Sequence, residues 1–543
     1  MNNDINFALN KINNLVQDVG AYYLSDIQTW IDCNFMEKDS IDKTSEILKN
    51  LARKNGLNNK TFTTDIKNVC NKMAEELLQE LKKLISPDPF LCFITALAFF
   101  NRHLSLTYEI FFWYKTKHTI DADNSEVQKQ LDFYFSTIEN HEKFNELFYK
   151  LQCHIASEKF LLRLLLEICY DNLLEVKTDN QPQLYIDKIL DYSRALGKII
   201  IIRDQVSKAI GCVKELNFDI EGQIYFKQEK NLSFYSVGNK FLNWTTSKEY
   251  IDIPDEIIEK LNPLCNKFIG FSIKELFDLI DSLCHKYSSQ SGSIIMFLPS
   301  DWENELKTLT NKNEIEINKL LQFISREPNK NADYLRNKKN KLLQKSVFFY
   351  KGTAIISINL LISSLMSLIN DVFYNNIELK EFNIELEKIH TEINEEFEVE
   401  IYELLKNSLS KKILYNFTKI GSKPPFIEPP GQIDILLYYQ YNLYVIECKN
   451  YDLKTNISSV ANEVKRIQND EIGKLEKKVR FVKENLRSIL PLIGVDILEA
   501  DSIENVTGLF VTKNFSVGEL LTNQLPIINY SSLIDWIKSK NEF

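Results

Sequence analysis

Near the carboxy-terminal end of this 543-residue chain, three residues of complementary charge sit where an apolar strand should carry none. The run Gly431-Gln-Ile-Asp-Ile-Leu-Leu-Tyr-Tyr-Gln-Tyr-Asn-Leu-Tyr-Val-Ile-Glu-Cys-Lys-Asn450 reads as two short apolar strands joined by a polar turn around Gln440 to Asn442. Strand residues alternate faces, so Leu443, Val445, Glu447 and Lys449 project one way while Tyr444, Ile446 and Cys448 project the other. A two-residue loop at Gln440 and Tyr441 pairs Tyr439 with Asn442. Counting outward from there sets Asp434 directly opposite Glu447 on the same face. Two carboxylates and an ammonium are thus expected to converge.

That set of groups suits phosphodiester hydrolysis. Mg2+ prefers one or two carboxylates, a few waters and substrate phosphate oxygens, so Asp434 and Glu447 are the expected ligands of Mg2+ or Mn2+. The backbone carbonyl of Cys448 is the expected third protein ligand. A metal there would acidify water and neutralise charge on a phosphate, and Lys449 would orient that water or hold a phosphate oxygen. The competing reading is a salt-bridge cluster in an inactive or purely binding domain. Asp, Glu and Lys are seldom fully buried unless paired, and a metal site is the better reason for such a cluster.

Asp434 followed by Glu447-x-Lys449 at the end of an apolar strand resembles the core of the PD-(D/E)xK nuclease superfamily. The Gly-x-Ile-Asp opening is most similar to archaeal Holliday-junction resolvases and Mrr-like restriction enzymes. The resemblance implies an α/β restriction-endonuclease-like domain with a central mixed sheet flanked by helices. It also implies a glutamate on the helix before the first strand, often after a phenylalanine. Phe397-Glu398-Val-Glu-Ile401-Tyr-Glu-Leu404-Leu405 fits, which assigns the accessory acid to Glu398, with Glu396, Glu400 and Glu403 as competitors. The family's next helix corresponds to Thr455 through Arg487 and its next strand to Val506 through Lys513. Ile433 stands where the superfamily's name has proline, and Gln432 where some relatives carry another acid. By analogy, the implied setting is DNA cleavage in restriction or antiviral defence.

The elements that must position these groups occupy the last part of a long chain. At this length several cores are expected: a helical domain at 1–200, a mixed, mainly helical domain with short strands at 201–385, and the nuclease-like domain at 386–543. A net charge of -10 argues against a protein that coats nucleic acid indiscriminately, although a nuclease site is itself acidic. Nine scattered cysteines without a CxxC pair suggest reduced thiols in a cytoplasmic protein, and no structural zinc is expected. The amino terminus lacks the pattern of a secretion signal, and no membrane association is expected.

Apolar periodicity predicts helices at Asp65–Ile85, from Phe90 toward Trp113, at Phe160–Cys169 and at Tyr185–Ile202. The stretch from Phe90 is too short and too interrupted for a membrane span and reads as buried. Short alternating pieces between Phe218 and Ile253 predict a small sheet or hairpin set, and helices resume from Pro254 through Cys284. Arg326 to Lys345 is the most basic stretch, either a solvated face or a track for a phosphate backbone. Gly352 to Asn370 carries no charge and reads as a buried helix, with a membrane-tethered sensor as the competitor. Glu378 to Ser410 reads as a charged helix. Lys423 to Pro430 is a stiff extended segment expected to edge the cleft. After Asn456 a long helix, broken near Gly473, is expected to turn Val460, Val464, Ile467, Val479, Val482 and Leu486 inward. Lys465, Arg466, Lys474, Lys477, Lys478 and Arg480 are expected on its other faces, a surface for nucleic acid or merely for solvent. Gln468 is a weaker candidate to reach the site. Cutting both strands of DNA would favour a homodimer.

Overall fold

The computed structural model describes residue 18 and residues 43–56, 63–115, 126–136, 138, 141–175, 186–207, 213–218, 224–228, 255–287, 294–329, 334, 345–373, 377, 379–421, 426–450, 463, 465–513, 516–520 and 525–541. It divides into two compact units, one of residues 1–207, 215–226 and 251–386, the other of residues 208–214, 227–250 and 387–543.

The first unit is mainly helical, as its periodicity predicts. Helices span Lys43–Lys54, Thr63–Ile85, Pro89–Lys115, Glu126–Phe135, His141–Asp171, Ile186–Ser207, Asp255–Phe268, Ile273–Tyr287, Pro299–Thr310, Glu314–Ile324 and Ile358–Phe373. Pro89–Ile110 is long and apolar enough to cross a membrane, contrary to the expectation that it is too short and too interrupted. In the fold, 72% of its apolar window is buried inside the protein. Of the small sheet expected between Phe218 and Ile253, Ile224–Gln228 forms a strand, its partner being Val213–Phe218, which was not expected, and the pieces from Leu232 to Ile253 lie outside the described residues.

A four-stranded sheet, in the order Ile294–Phe297, Thr353–Ser357, Val347–Tyr350, Ser325–Arg326, corrects one expectation. The uncharged stretch from Gly352 is not one helix. Its β-branched start, Thr353 to Ser357, pairs antiparallel on both sides, and the helix begins at Ile358. Of the basic stretch, Arg326 turns inward: Nη2 lies 2.9 Å from Asp171 Oδ2, and Tyr334 donates to the same carboxylate at 3.0 Å. Arg326 and Tyr334 are therefore engaged within the fold. The lysines from Lys338 to Lys341 lie outside the described residues.

Helix α1 (Lys380–Ser408), which belongs to the second unit from Glu387 on, leads into strands β1 (Ile413–Phe417), β2 (Ile433–Tyr439) and β3 (Asn442–Lys449). Helices α2 (Ile472–Glu484) and α3 (Leu486–Ile493) connect to β4 (Asn505–Thr512), followed by β5 (Ile527–Asn529) and α4 (Leu533–Ser539). The five strands form one mixed sheet in the order β5-β4-β3-β2-β1. β1, β2 and β3 are antiparallel neighbours, whereas β4 runs parallel to β3 and to β5. β1 is an element that reading from the Asp434 strand outward does not supply.

The turn between β2 and β3 places Gln440 at φ 45° and Tyr441 at φ 60°, the doubly left-handed geometry that matches the twist of a two-residue hairpin. Tyr439 accordingly pairs with Asn442. Because side chains alternate, each strand feeds two cores. Leu436, Tyr438, Leu443, Val445 and Phe510 pack under Leu475, Val482, Ile489 and Leu490 of α2 and α3. Ile435, Leu437, Tyr444, Ile446 and Leu509 pack on the other face against Phe397, Ile401 and Leu405 of α1 and Leu533 of α4. The long helix after Lys449 departs from expectation. Residues 451–462 and 464 lie outside the description, Ile467–Glu471 forms a π turn, and the break falls at Asn485 rather than at Gly473.

Gly508 sets how closely α2 lies on the sheet. A Cβ there would stand 2.7 Å from Val479 Cγ2 and 3.0 Å from Leu475 Cγ. Gly508→Ala is expected to overpack this contact and cost about 1–3 kcal/mol, read as a lower Cm in urea with unchanged m. An unchanged Cm would show that α2 can lift without penalty.

Candidate active site

The site forms where β2 and β3 separate. Paired positions run from Tyr439 and Asn442 to Ile435 and Ile446, so the same register carries Asp434 opposite Glu447 one step beyond the end of the backbone pairing. On the other side of β2 the pairing with β1 skips Asn416, which takes φ 52° opposite Asp434. Asp434 thus sits at an opening on both flanks of its strand. Its carboxylate takes over a backbone role, since Cys448 N–H donates to Asp434 Oδ2 at 2.8 Å. Asp434 and Glu447 are 8% and 6% exposed, too buried to be solvated like surface acids.

Two lysines face this pair. Lys449 Nζ lies 3.7 Å from Glu447 Oε2, as strand alternation implies. Lys478 Nζ lies 2.5 Å from Glu447 Oε1 and also donates to the carbonyl of Gln432. Lys478 corrects the expectation that it belongs to the exposed basic face of its helix. It is 8% exposed, whereas Lys465, Arg466, Lys474, Lys477 and Arg480 are exposed as expected. The signal was present in the spacing: Leu475, Lys478 and Val482 make one helical stripe, so a lysine stands in the apolar face. Gln468 is exposed, and Gln432 donates to Asn416 at 2.8 Å.

Glu398 comes from the opposite side of the sheet. Phe397, Ile401 and Leu405 of α1 pack on the face away from Asp434, yet the Glu398 carboxyl lies in the field of the site at the sheet's end. Burial pushes its pKa up to about 7, assisted by the negative charges of Asp434, Glu447 and Glu395 and opposed by Lys449. Its competitors are placed differently. Glu403 pairs with Lys406 at 3.1 Å, Glu400 accepts a hydrogen bond from Tyr530, and Glu396 is exposed. Tyr415 of β1 also faces Glu398, and its hydroxyl is raised by burial and then by that charge.

Burial raises both central carboxyls as well. For Asp434 the Cys448 N–H, Lys449 and Lys478 oppose the rise. For Glu447 the Asp434 charge adds to it, while Lys478 and Lys449 oppose it. Cys448 is buried, and burial followed by the charges of Asp434, Glu398 and Glu447 pushes its thiol far up, so its side chain is no thiolate ligand.

Among the described residues, no group of three or more His, Cys, Asp or Glu is arranged to hold a metal. The donor set is two carboxylates from adjacent strands, which fits a hard, oxygen-seeking cation that completes its shell with water and phosphate rather than zinc. The described cysteines, Cys70, Cys92, Cys169, Cys265, Cys284 and Cys448, are all free.

A mixed sheet flanked by helices, with paired acids and lysines where two strands part, is consistent with a nuclease-like α/β domain. In agreement, residues 393–507 match the family model of the nuclease-related domain, a span that contains Glu398, Asp434, Glu447, Lys449 and Lys478. No curated protein and no solved structure gave a significant match.

The shared field has a direct consequence. Asp434→Asn removes one negative neighbour and should lower the Glu398 pKa from about 7 toward the ordinary carboxyl range, followed by isotope-edited infrared titration. An unshifted Glu398 would mean that α1 and the sheet do not form a common site.

Proposed function

We propose that the protein is a metal-dependent nuclease of the PD-(D/E)xK kind that hydrolyses phosphodiester bonds in DNA. The observation that carries this reading is the buried Asp434 and Glu447 pair at the parting of β2 and β3, with Lys449 beside it. Carboxylates so poorly solvated need cationic company, and a divalent ion is the form that also does chemistry on phosphates.

Asp434 and Glu447 would hold Mg2+ or Mn2+, with the Cys448 carbonyl as a third oxygen. Such an ion supplies charge neutralisation at the scissile phosphate and acidifies water. Lys449, 28% exposed at its side chain, is free enough to turn from Glu447 toward a phosphate oxygen or the attacking water. Glu398, with a pKa about 7, exchanges a proton readily near neutrality and serves as the accessory acid. We assign the large first unit to recognising substrate or restraining the nuclease. Restriction or antiviral defence in the cytoplasm, with a homodimer for double-strand cleavage, is the setting taken from the resemblance.

Cleavage of duplex DNA, single-stranded DNA and RNA with Mg2+ or Mn2+ tests this. Wild type should cut DNA only with metal, and Asp434→Ala and Lys449→Ala should each lower the rate by about 100-fold or more. Absence of cleavage, together with metal binding unchanged in Asp434→Ala, would overturn the catalytic assignment and leave a nucleic-acid-binding or scaffold domain with a nuclease-like fold.

A further inference from the structure

The Asp434 and Glu447 pair already has a cation in close contact, and it comes from a helix rather than from solvent. Lys478 Nζ lies 2.5 Å from Glu447 Oε1, with the two side chains 10% and 8% exposed. The same ammonium donates to the Gln432 carbonyl, so it joins the start of β2 to the end of β3 where their pairing stops. Its stem is enclosed. Leu475 and Val482 flank it on the buried stripe of α2, and Gly431, at φ 102°, would place a Cβ 3.6 Å from Lys478 Cε. α2 is in turn seated on the sheet over Gly508. Lys449, by comparison, stands 3.7 Å from the other oxygen of Glu447 and is more exposed.

A divalent ion held by Asp434 and Glu447 would need the carboxylate that Lys478 engages. Glu447 already has Lys478 on one oxygen and Lys449 3.7 Å from the other, so a divalent ion would add a third cationic group to one poorly solvated carboxylate; the repulsion bears most on the closer ammonium, and Lys478 and the metal compete. We propose that Lys478 is a tethered counter-cation: it holds Glu447 in place while the site lacks a divalent ion and leaves that carboxylate when one binds. This rests on the metal-dependent reading above and adds a regulatory property to it. The metal must displace an internal partner, so its apparent affinity is lowered by the fraction of sites that the lysine occupies. Lys478 is then a positioning residue, acting on the substrate only through Glu447.

The test is Mn2+ binding to the full-length protein by isothermal titration calorimetry, together with thermal melts with and without Mn2+. Lys478→Met should bind Mn2+ about ten-fold more tightly or better. It should melt below wild type without metal and recover most of that loss with saturating Mn2+. Lys478→Arg keeps the charge and should not gain affinity. A merely structural lysine would give the opposite sign, because its loss would loosen the site and weaken binding. Equal or weaker Mn2+ binding by Lys478→Met therefore overturns the proposal while leaving the nuclease reading intact. If neither wild type nor Lys478→Met binds Mn2+, the metal-dependent reading fails and this proposal falls with it. Should Lys478→Met not fold, acetylation of wild type read by mass spectrometry decides. Labelling of Lys478 that rises on adding Mn2+ supports displacement, and labelling that stays low with Mn2+ bound overturns it.

Discussion

The architecture of the second unit turns on the cost of keeping two negative charges out of water. Asp434 and Glu447 are both nearly buried, and an unpaired carboxylate in that condition would carry a penalty of several kcal/mol. The fold meets that cost with a backbone N–H on Asp434 and with lysines from two different elements on Glu447. Each of those partners requires a structural concession. β2 and β3 must part, Asn416 must leave the ladder, and α2 must lie close enough on the sheet to deliver an ammonium.

Those concessions explain why the acids gather at one end of the sheet and not along its length. Where β2 and β3 are fully paired, their side chains are committed to the two apolar cores on either face. Past Ile435 and Ile446 the backbone pairing lapses, and groups from both faces can meet around the sheet's end. Glu398 reaches the site's field in this way although its helix packs on the far face. The raised Glu398 carboxyl is a consequence of that shared low-dielectric opening.

Burial also separates side chains that composition alone would group together. Lys478 and its neighbours on α2 have the same charge, yet one is a buried partner of Glu447 and the others meet solvent. Arg326 in the first unit tells a similar story: it belongs to the most basic stretch of the chain but is held by Asp171. A run of like charges therefore says little about a nucleic-acid surface until the partners of each member are known.

Period-two alternation and a two-residue turn were sufficient, by themselves, to set Tyr439 against Asn442 and carry that register to Asp434 and Glu447, because hairpin pairing is local in sequence. The helical character of the first unit was legible for the same reason, through periods of a few residues, whereas the mixed sheet with flanking helices was implied by the resemblance to a nuclease superfamily. What only the tertiary structure decided involves partners far apart in the chain or balanced local preferences. Ile413–Phe417 became a strand because β2 offers an edge, and Thr353–Ser357 left the expected helix because strands on both sides claim it. The resemblance singled out Glu398, but that Glu398 lies in the field of Asp434 and Glu447, while Glu403 pairs with Lys406 and Glu400 with Tyr530, depended on tertiary placement. Lys478 could be recognised as misplaced on an apolar stripe, but that its partner is Glu447 depended on how closely α2 packs over Gly508.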